Sequence, residues 1–201
     1  MPRVTRTPPA QRGKEPRRRA DAERSVERIL DAALDALASD PEHSMAEIAR
    51  RAGVVRATIY VHFPTREALI DAVTDRAISE VADVVERADP ARGDPAEALG
   101  RVVAAAWRAL GQFHALVAIN ARLPQAELHR RHLPILEQLH PLIERGQREG
   151  TFRADVPATW HLSMMLALVH AATNAAHGDR TPGQVEDAVV ATVLGAVSNR
   201  C

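Results

Sequence analysis

Cysteine occurs once in the 201 residues, as the last of them, Cys201. That excludes an internal disulfide and any zinc site built from several thiolates. Aromatics are also scarce, at 3% of the chain, and Tyr60 is the single tyrosine. There is no run of eighteen apolar residues and no basic-then-apolar leader, so neither a membrane span nor a signal peptide is expected and the chain is placed in the cytoplasm. It has no glycine-rich phosphate loop and no nucleophile–base pair in a recognisable context, which leaves a small helical enzyme only as an alternative. His129, His132 and His140 lack carboxylate or cysteine companions at ligand spacing, so no metal site is expected, and no cofactor.

An apolar content of 46% is enough for a proper core. The net charge of zero hides an asymmetry, because residues 1–20 carry six arginines and Lys14 against Glu15 alone. Such an arm, over residues 1–22, cannot bury enough apolar surface to order itself and reads either as a DNA-contacting arm or as a solvated tail. Of the 26 basic residues all but Lys14 are arginine, which reflects coding bias more than mechanism.

From residue 24 the pattern is helical throughout. Val26, Ile29, Leu30, Ala33, Leu34 and Leu37 recur at three-and-four spacing, and Ser39-Asp40-Pro41 ends that first helix. Ser44-x-x-Glu47 is a capping box, and Gly53 stands where a helix closes in a left-handed residue. Two short helices, about 44–51 and 55–61, joined by a glycine turn make a helix-turn-helix. Thr65 opens a fourth helix, Asp94-Pro95 a fifth running to about Leu110, and a short segment follows to Asn120. One long helix is expected over 125–148, interrupted or kinked at Pro134 and Pro141. Pro157 opens a helix reaching His177-Gly178, and Thr181-Pro182 opens the last, to about Ser198. Both are apolar on two sides and so buried on two sides, in a dimer interface or in a monomer core.

A helix-turn-helix enters the major groove by the start of its second helix, which makes Val55, Arg56 and Ala57 the candidates for base contact. Arg56 leads, because its fork can address guanine O6 and N7 together; a phosphate contact is the alternative.

The string Ile48-Ala49-x-x-Ala52-Gly53-Val54 followed by Thr58-Ile59-Tyr60-x-His62-Phe63-Pro64-Thr65-Arg66-Glu67-x-Leu69-Ile70 resembles the DNA-binding domain of the tetracycline-repressor (TetR) family. Two positions depart from the family pattern: Val55 replaces a small capping residue and Arg66 replaces lysine. A second match, around Gly146 to Pro157, lies far downstream. The resemblance implies an all-α fold of about nine helices, with a helix-turn-helix DNA-binding domain over 23–68 and a helical ligand-binding and dimerisation domain over 69–201. It implies phosphate contacts by Thr58, Tyr60, His62 and Arg66, a homodimer through the two C-terminal helices, and a double-stranded, near-palindromic DNA operator. It further implies a regulator, most often a repressor, released by a small-molecule effector. Candidate pocket residues are Trp107, Phe113, His114, Asn120, Trp160, Met164, His170 and Asn174, with His170, Asn174 and His177 forming a polar stripe at i, i+4 and i+7. The competing readings are a ligand-independent architectural DNA binder, which calls for a packed core without a cavity, and the enzyme.

Overall fold

A computed structural model describes residues 14–120, 123–175 and 178–199. Every regular element among them is helical: ten α-helices and one 3-10 turn, with a lone bridge between Phe152 and Ser198. The helices are α1 Lys14–Ser39, α2 Met45–Arg51, α3 Arg56–His62, α4 Arg66–Arg87, α5 Pro95–Leu110, α6 His114–Asn120, α7 Gln125–Arg131, α8 Leu133–Arg148, α9 Ala158–Asn174 and α10 Pro182–Val197.

Local chemistry sets most of these ends. The Glu47 N–H donates to the Ser44 hydroxyl at 3.3 Å while the Ser44 N–H donates to the Glu47 carboxylate at 2.9 Å, the reciprocal box that opens α2. These hydrogen bonds hold the Glu47 carboxyl below its ordinary range. At the other end of α2, Gly53 takes φ +66°, with Gly53 N–H donating to Arg50 O at 3.2 Å and Val54 N–H to Ala49 O at 3.0 Å. That pair of bonds satisfies two end carbonyls and turns the chain sharply into α3. Thr65 caps α4 through Ala68 N–H, Asp94 caps α5 through Ala96 and Glu97 N–H, and Thr181 closes a second capping box with Gln184.

Three boundaries differ from expectation. Helix α1 begins at Lys14, so residues 14–22, read as part of the arm, are helical; residues 1–13 lie outside the described residues. The expected helix 125–148 is two helices parted at His132. Pro134 sits in the first turn of α8, where a missing N–H is tolerated because it would have no helical partner, and Pro141 is held inside α8. Helix α9 ends at Asn174, short of His177, which lies outside the described residues.

One core runs through the molecule. In the N-terminal part Ile29, Ala33 and Leu37 of α1 meet Ile48 and Ala49 of α2, Ile59 of α3, and Phe63, all buried. Helix α4 passes from there, without a break at the expected 68/69 boundary, into a bundle where it packs against α5 and α8. Arg76 links α4 to α1 through Glu27 at 3.1 Å and Asp31 at 2.7 Å. Arg131 at the end of α7 reaches back to Asp71 of α4 at 2.7 Å. Helix α5 lies between α4, α8 and α10, and Arg108 pairs with Glu186 across to α10. The stretch Pro95–Asn120 is long and apolar enough by composition to cross a membrane, yet the 3-10 turn at Gly111–Phe113 divides it, and its buried face is committed to these neighbours.

Candidate nucleic-acid interface and ligand cavity

Helix α3 is anchored by one residue and exposes the rest. Ile59 is fully buried, Thr58 and His62 are half-buried, and Val55, Arg56, Ala57, Tyr60 and Val61 are exposed. The turn at Gly53 and the short α2 hold this face outward, because α2 packs on α1 and α3 packs on α2 within one cluster of buried residues. The Arg56 guanidinium lies 5.6 Å from the centre of the Tyr60 ring, a cation–π arrangement along one side of α3. It pre-sets the direction of both side chains, one turn apart.

The remaining candidates sit around this helix. Val55 occupies the N-cap of α3 with extended backbone and makes no side-chain capping bond; its carbonyl accepts the Thr58 N–H at 2.9 Å instead. Arg66, at the start of α4, donates to the Pro41 carbonyl and so braces the α1–α2 loop. Arg51 meets His43 at 2.8 Å. Between Ser44 and Glu67 there are four arginines against two glutamates, in a chain with zero net charge. A positive, outward-facing helix of this kind suits a phosphate-lined groove. Phe63 is buried and belongs to the small core. Sequence reasoning overlooked Val61, which at 77% is the most exposed large apolar residue among the described residues. Its signal was phase: two residues from buried Ile59, it must point away from the core.

The second site is a cavity of about 110 Å³, set in an envelope of about 970 Å³ that includes its open mouth, between α4, α5, α6, α7, α8 and α9. Its wall is mostly aliphatic, with Ile78, Val81, Leu139, Met165 and Val169 among the lining residues. Of the expected pocket residues, Phe113, Asn120 and His170 line it. Trp107 does not; it is half-buried and packs against the core. His114 is exposed, its Nδ1 3.2 Å from Gly111 O. Trp160 and Met164 are 47% and 40% exposed on the outer side of α9, because the cavity takes the opposite face of that helix through Leu162, Met165, Leu166 and Val169. The side chain of Asn174 lies outside the described residues.

Two polar pairs were not foreseen. Asn120 Nδ2 donates to Thr74 Oγ1 at 2.9 Å, both side chains buried. His132 Nε2 and His170 Nε2 stand 3.3 Å apart with the rings edge to face. Burial pushes His170 down to about 4 and depresses His132 as well, so both are neutral near pH 7. The His132 Nδ1 lies 2.8 Å from Leu128 O; a carbonyl only accepts, so Nδ1 carries the proton and Nε2 accepts from His170.

Together the glycine turn, the exposed basic second helix and the three-helix core define a helix-turn-helix DNA-binding regulator. Residues 29–73 match the family model for bacterial regulatory proteins of the tetR family. The HTH-type transcriptional repressor LfrR of Mycolicibacterium smegmatis is 29% identical over 176 residues, covering 87% of this chain and 91% of LfrR. Its crystal structure in complex with proflavine superposes with a TM-score of 0.64 at 26% identity, over 89% of this chain and 98% of that one. A TetR transcription regulatory protein from Mycobacterium vanbaalenii is 30% identical, with a TM-score of 0.57 over 90% of this chain and 99% of its own. A tetR-family regulator from Shewanella sp. PV-4 is similar at a TM-score of 0.70 and 27% identity, over 88% and 99% of the two chains. The chain belongs to the TetR family of bacterial transcriptional regulators.

Proposed function

We propose that this regulator is a cytoplasmic repressor that binds a near-palindromic operator as a homodimer and leaves it when a small molecule fills the cavity. The observation that carries this reading is the sharing of α4. The same helix presents Thr65 and Arg66 beside α3 and lines the cavity with Thr74, Ala77, Ile78, Val81 and Val85. A molecule bound more tightly to one placement of α4 than to another therefore changes the DNA affinity, by about 1–3 kcal/mol in typical coupled systems. The cavity favours this over a ligand-independent architectural protein, for which a filled core was expected. LfrR, a repressor by name and crystallised with proflavine, adds support.

The outward exposure of α3 supports a division of roles on the DNA side. Val55, Arg56 and Ala57 face the bases, with Arg56 reading a guanine, and Thr58, Tyr60, His62 and Arg66 position the phosphate backbone. The division of labour places DNA binding in 23–68 and effector binding and dimerisation in 69–201. The dimer surface is the outer side of α9 and α10, where Trp160 and Met164 stand exposed one turn apart, beside exposed Ala188, Ala191, Gly195 and Ala196. Two recognition helices so joined meet half-sites about 34–36 Å apart, or a multiple of that turn.

Fluorescence anisotropy on palindromes from the DNA neighbouring the gene tests the reading. Tight binding that weakens steeply with salt is expected. Salt-insensitive or absent binding would refute the regulator, and a solution mass of one chain would refute the dimer.

A further inference from the structure

The polar groups of the cavity gather at one end. Thr74 of α4 bonds to Asn120, which closes α6; Arg131 bonds to Asp71, three residues before Thr74, and approaches Asp75, the residue after it; His132 follows Arg131 and meets His170. The other end, around Val85, Val103 and Leu162, is hydrocarbon. Thr74 and Val85 lie about 16 Å apart along α4 at 1.5 Å per residue. The cavity is thus apolar along its length and polar at one tip.

Charge at that tip is already compensated. Arg131 Nε donates to Glu127 at 2.9 Å and Nη2 to Asp71 at 2.7 Å, with Nη1 3.8 Å from Asp75. No aspartate or glutamate lines the cavity among the described residues, and Arg131 is its one arginine. The two histidines satisfy each other and Leu128, and burial keeps them uncharged. An anionic ligand would meet an arginine surrounded by carboxylates, and a cationic one would find no counter-charge in the wall.

Apart from Arg131 Nη1, a buried donor held near Asp75 without a hydrogen bond, what stays open is a neutral donor and a neutral acceptor. Asn120 Nδ2 donates to Thr74 Oγ1, which leaves the Asn120 amide oxygen and the Thr74 hydroxyl hydrogen without a hydrogen bond among the described residues. The opposite amide orientation leaves the same complement, a spare Asn120 N–H and a Thr74 lone pair. A hydrocarbon there would leave both groups dry and unpaired. One group of small size satisfies a donor and an acceptor together: a hydroxyl.

We propose that the cavity takes an uncharged, mainly apolar molecule with one terminal hydroxyl, of the alkylphenol or alkyl-alcohol class, whose hydroxyl bridges Asn120 and Thr74. This rests on reading the cavity as the effector site, and it commits that site to a ligand class. The wall selects the body of the ligand by shape and the tip selects its end by hydrogen bonding.

Isothermal titration of the full chain at pH 7.4 with 4-butylphenol, butylbenzene, 4-butylbenzoate and 4-butylbenzylammonium tests it, since the four share a body and differ at the tip. The phenol is expected to bind about tenfold or more tighter than each of the others. Thr74→Val, nearly isosteric, and Asn120→Leu should each cut the preference for phenol over butylbenzene to about twofold or less. An equal or better affinity for the benzoate, the ammonium or the plain hydrocarbon overturns the proposal. So does a preference that survives both substitutions, or no binding by any of the four. Operator binding by the unliganded chain, measured alongside, separates the outcomes: its loss sinks the regulator reading, whereas intact operator binding with a failed phenol arm sinks only the ligand class.

Discussion

Adding one methyl group at Gly146 should destabilise the fold more than any change on the DNA-facing surface. A Cβ built there would lie 2.1 Å from Phe152 Cδ2 and 2.5 Å from Cε2. Carbon atoms rest at about 3.5–4.0 Å, so the ring would have to retreat by roughly 1.5 Å. It has nowhere to go: Phe152 is 1% exposed, its N–H donates to Gly146 O at 3.0 Å, and the next N–H, of Arg153, donates to Val197 O at 2.9 Å. Expelling the ring would cost about 3–5 kcal/mol, as for phenylalanine truncations. Alanine returns about 1 kcal/mol of helix propensity over glycine. The net loss for Gly146→Ala is therefore about 2–4 kcal/mol, a fall in Tm of roughly 5–15 °C for a domain of this size. Urea denaturation followed by circular dichroism at fixed protein concentration measures it, the concentration being held because dimerisation would add to apparent stability. Adding Phe152→Leu should recover part of the loss, as a double-mutant cycle with strong coupling. A change within about 0.5 kcal/mol, or additivity of the two substitutions, would refute the steric argument.

Val55→Ser should stabilise the chain by about 0.5–1 kcal/mol in the same assay, because the backbone is already extended at the N-cap and only the accepting oxygen is missing; no gain would mean that the cap is satisfied otherwise. On operator variants, Arg56→Ala should lose about 1–3 kcal/mol of discrimination at one base pair, whereas Tyr60→Phe should weaken all sequences alike, and the reverse pattern would overturn the assigned roles. Acid should unfold the chain partly through His170. The folded chain keeps it neutral down to about 4, while the unfolded chain protonates it near its ordinary value of about 6.5. Between those values the unfolded state binds more protons, so stability falls as pH falls, by about 1 kcal/mol from pH 7 to 5 after allowing for partial solvent access. A His170→Phe chain should lose less over that interval; an equal loss would exclude this residue as the cause.

The N-terminal half was legible because its signals are local. Ser44 with Glu47, Gly53, and Thr65 each fix a boundary by bonds within a few residues, and the structure has those bonds. The division at His132 was less so, since Pro134 and Pro141 look alike in sequence and only their position within the helix decides which is tolerated as a start and which as an interior defect. The start of α1 was misplaced because Asp21-Ala22-Glu23 imitates an acidic first turn, although the helix begins a further two turns upstream. On α9 periodicity revealed two apolar faces but not their partners. Large residues drew attention to Trp160 and Met164, whereas the cavity is met by the face of Leu162, Met165 and Val169. The Thr74–Asn120 pair spans 46 positions, beyond the reach of any spacing rule.

Helix α4 has 22 residues, about 33 Å at 1.5 Å per residue, with no proline or glycine within it. A rod of that length is a lever arm. A tilt of about 5° around its C-terminal end would carry its N-terminal end through about 3 Å, close to the spacing of successive base pairs along a duplex. Small displacements among valines and isoleucines deep in the bundle would thereby be enlarged at Arg66 into steps on the scale of the spacing between base pairs.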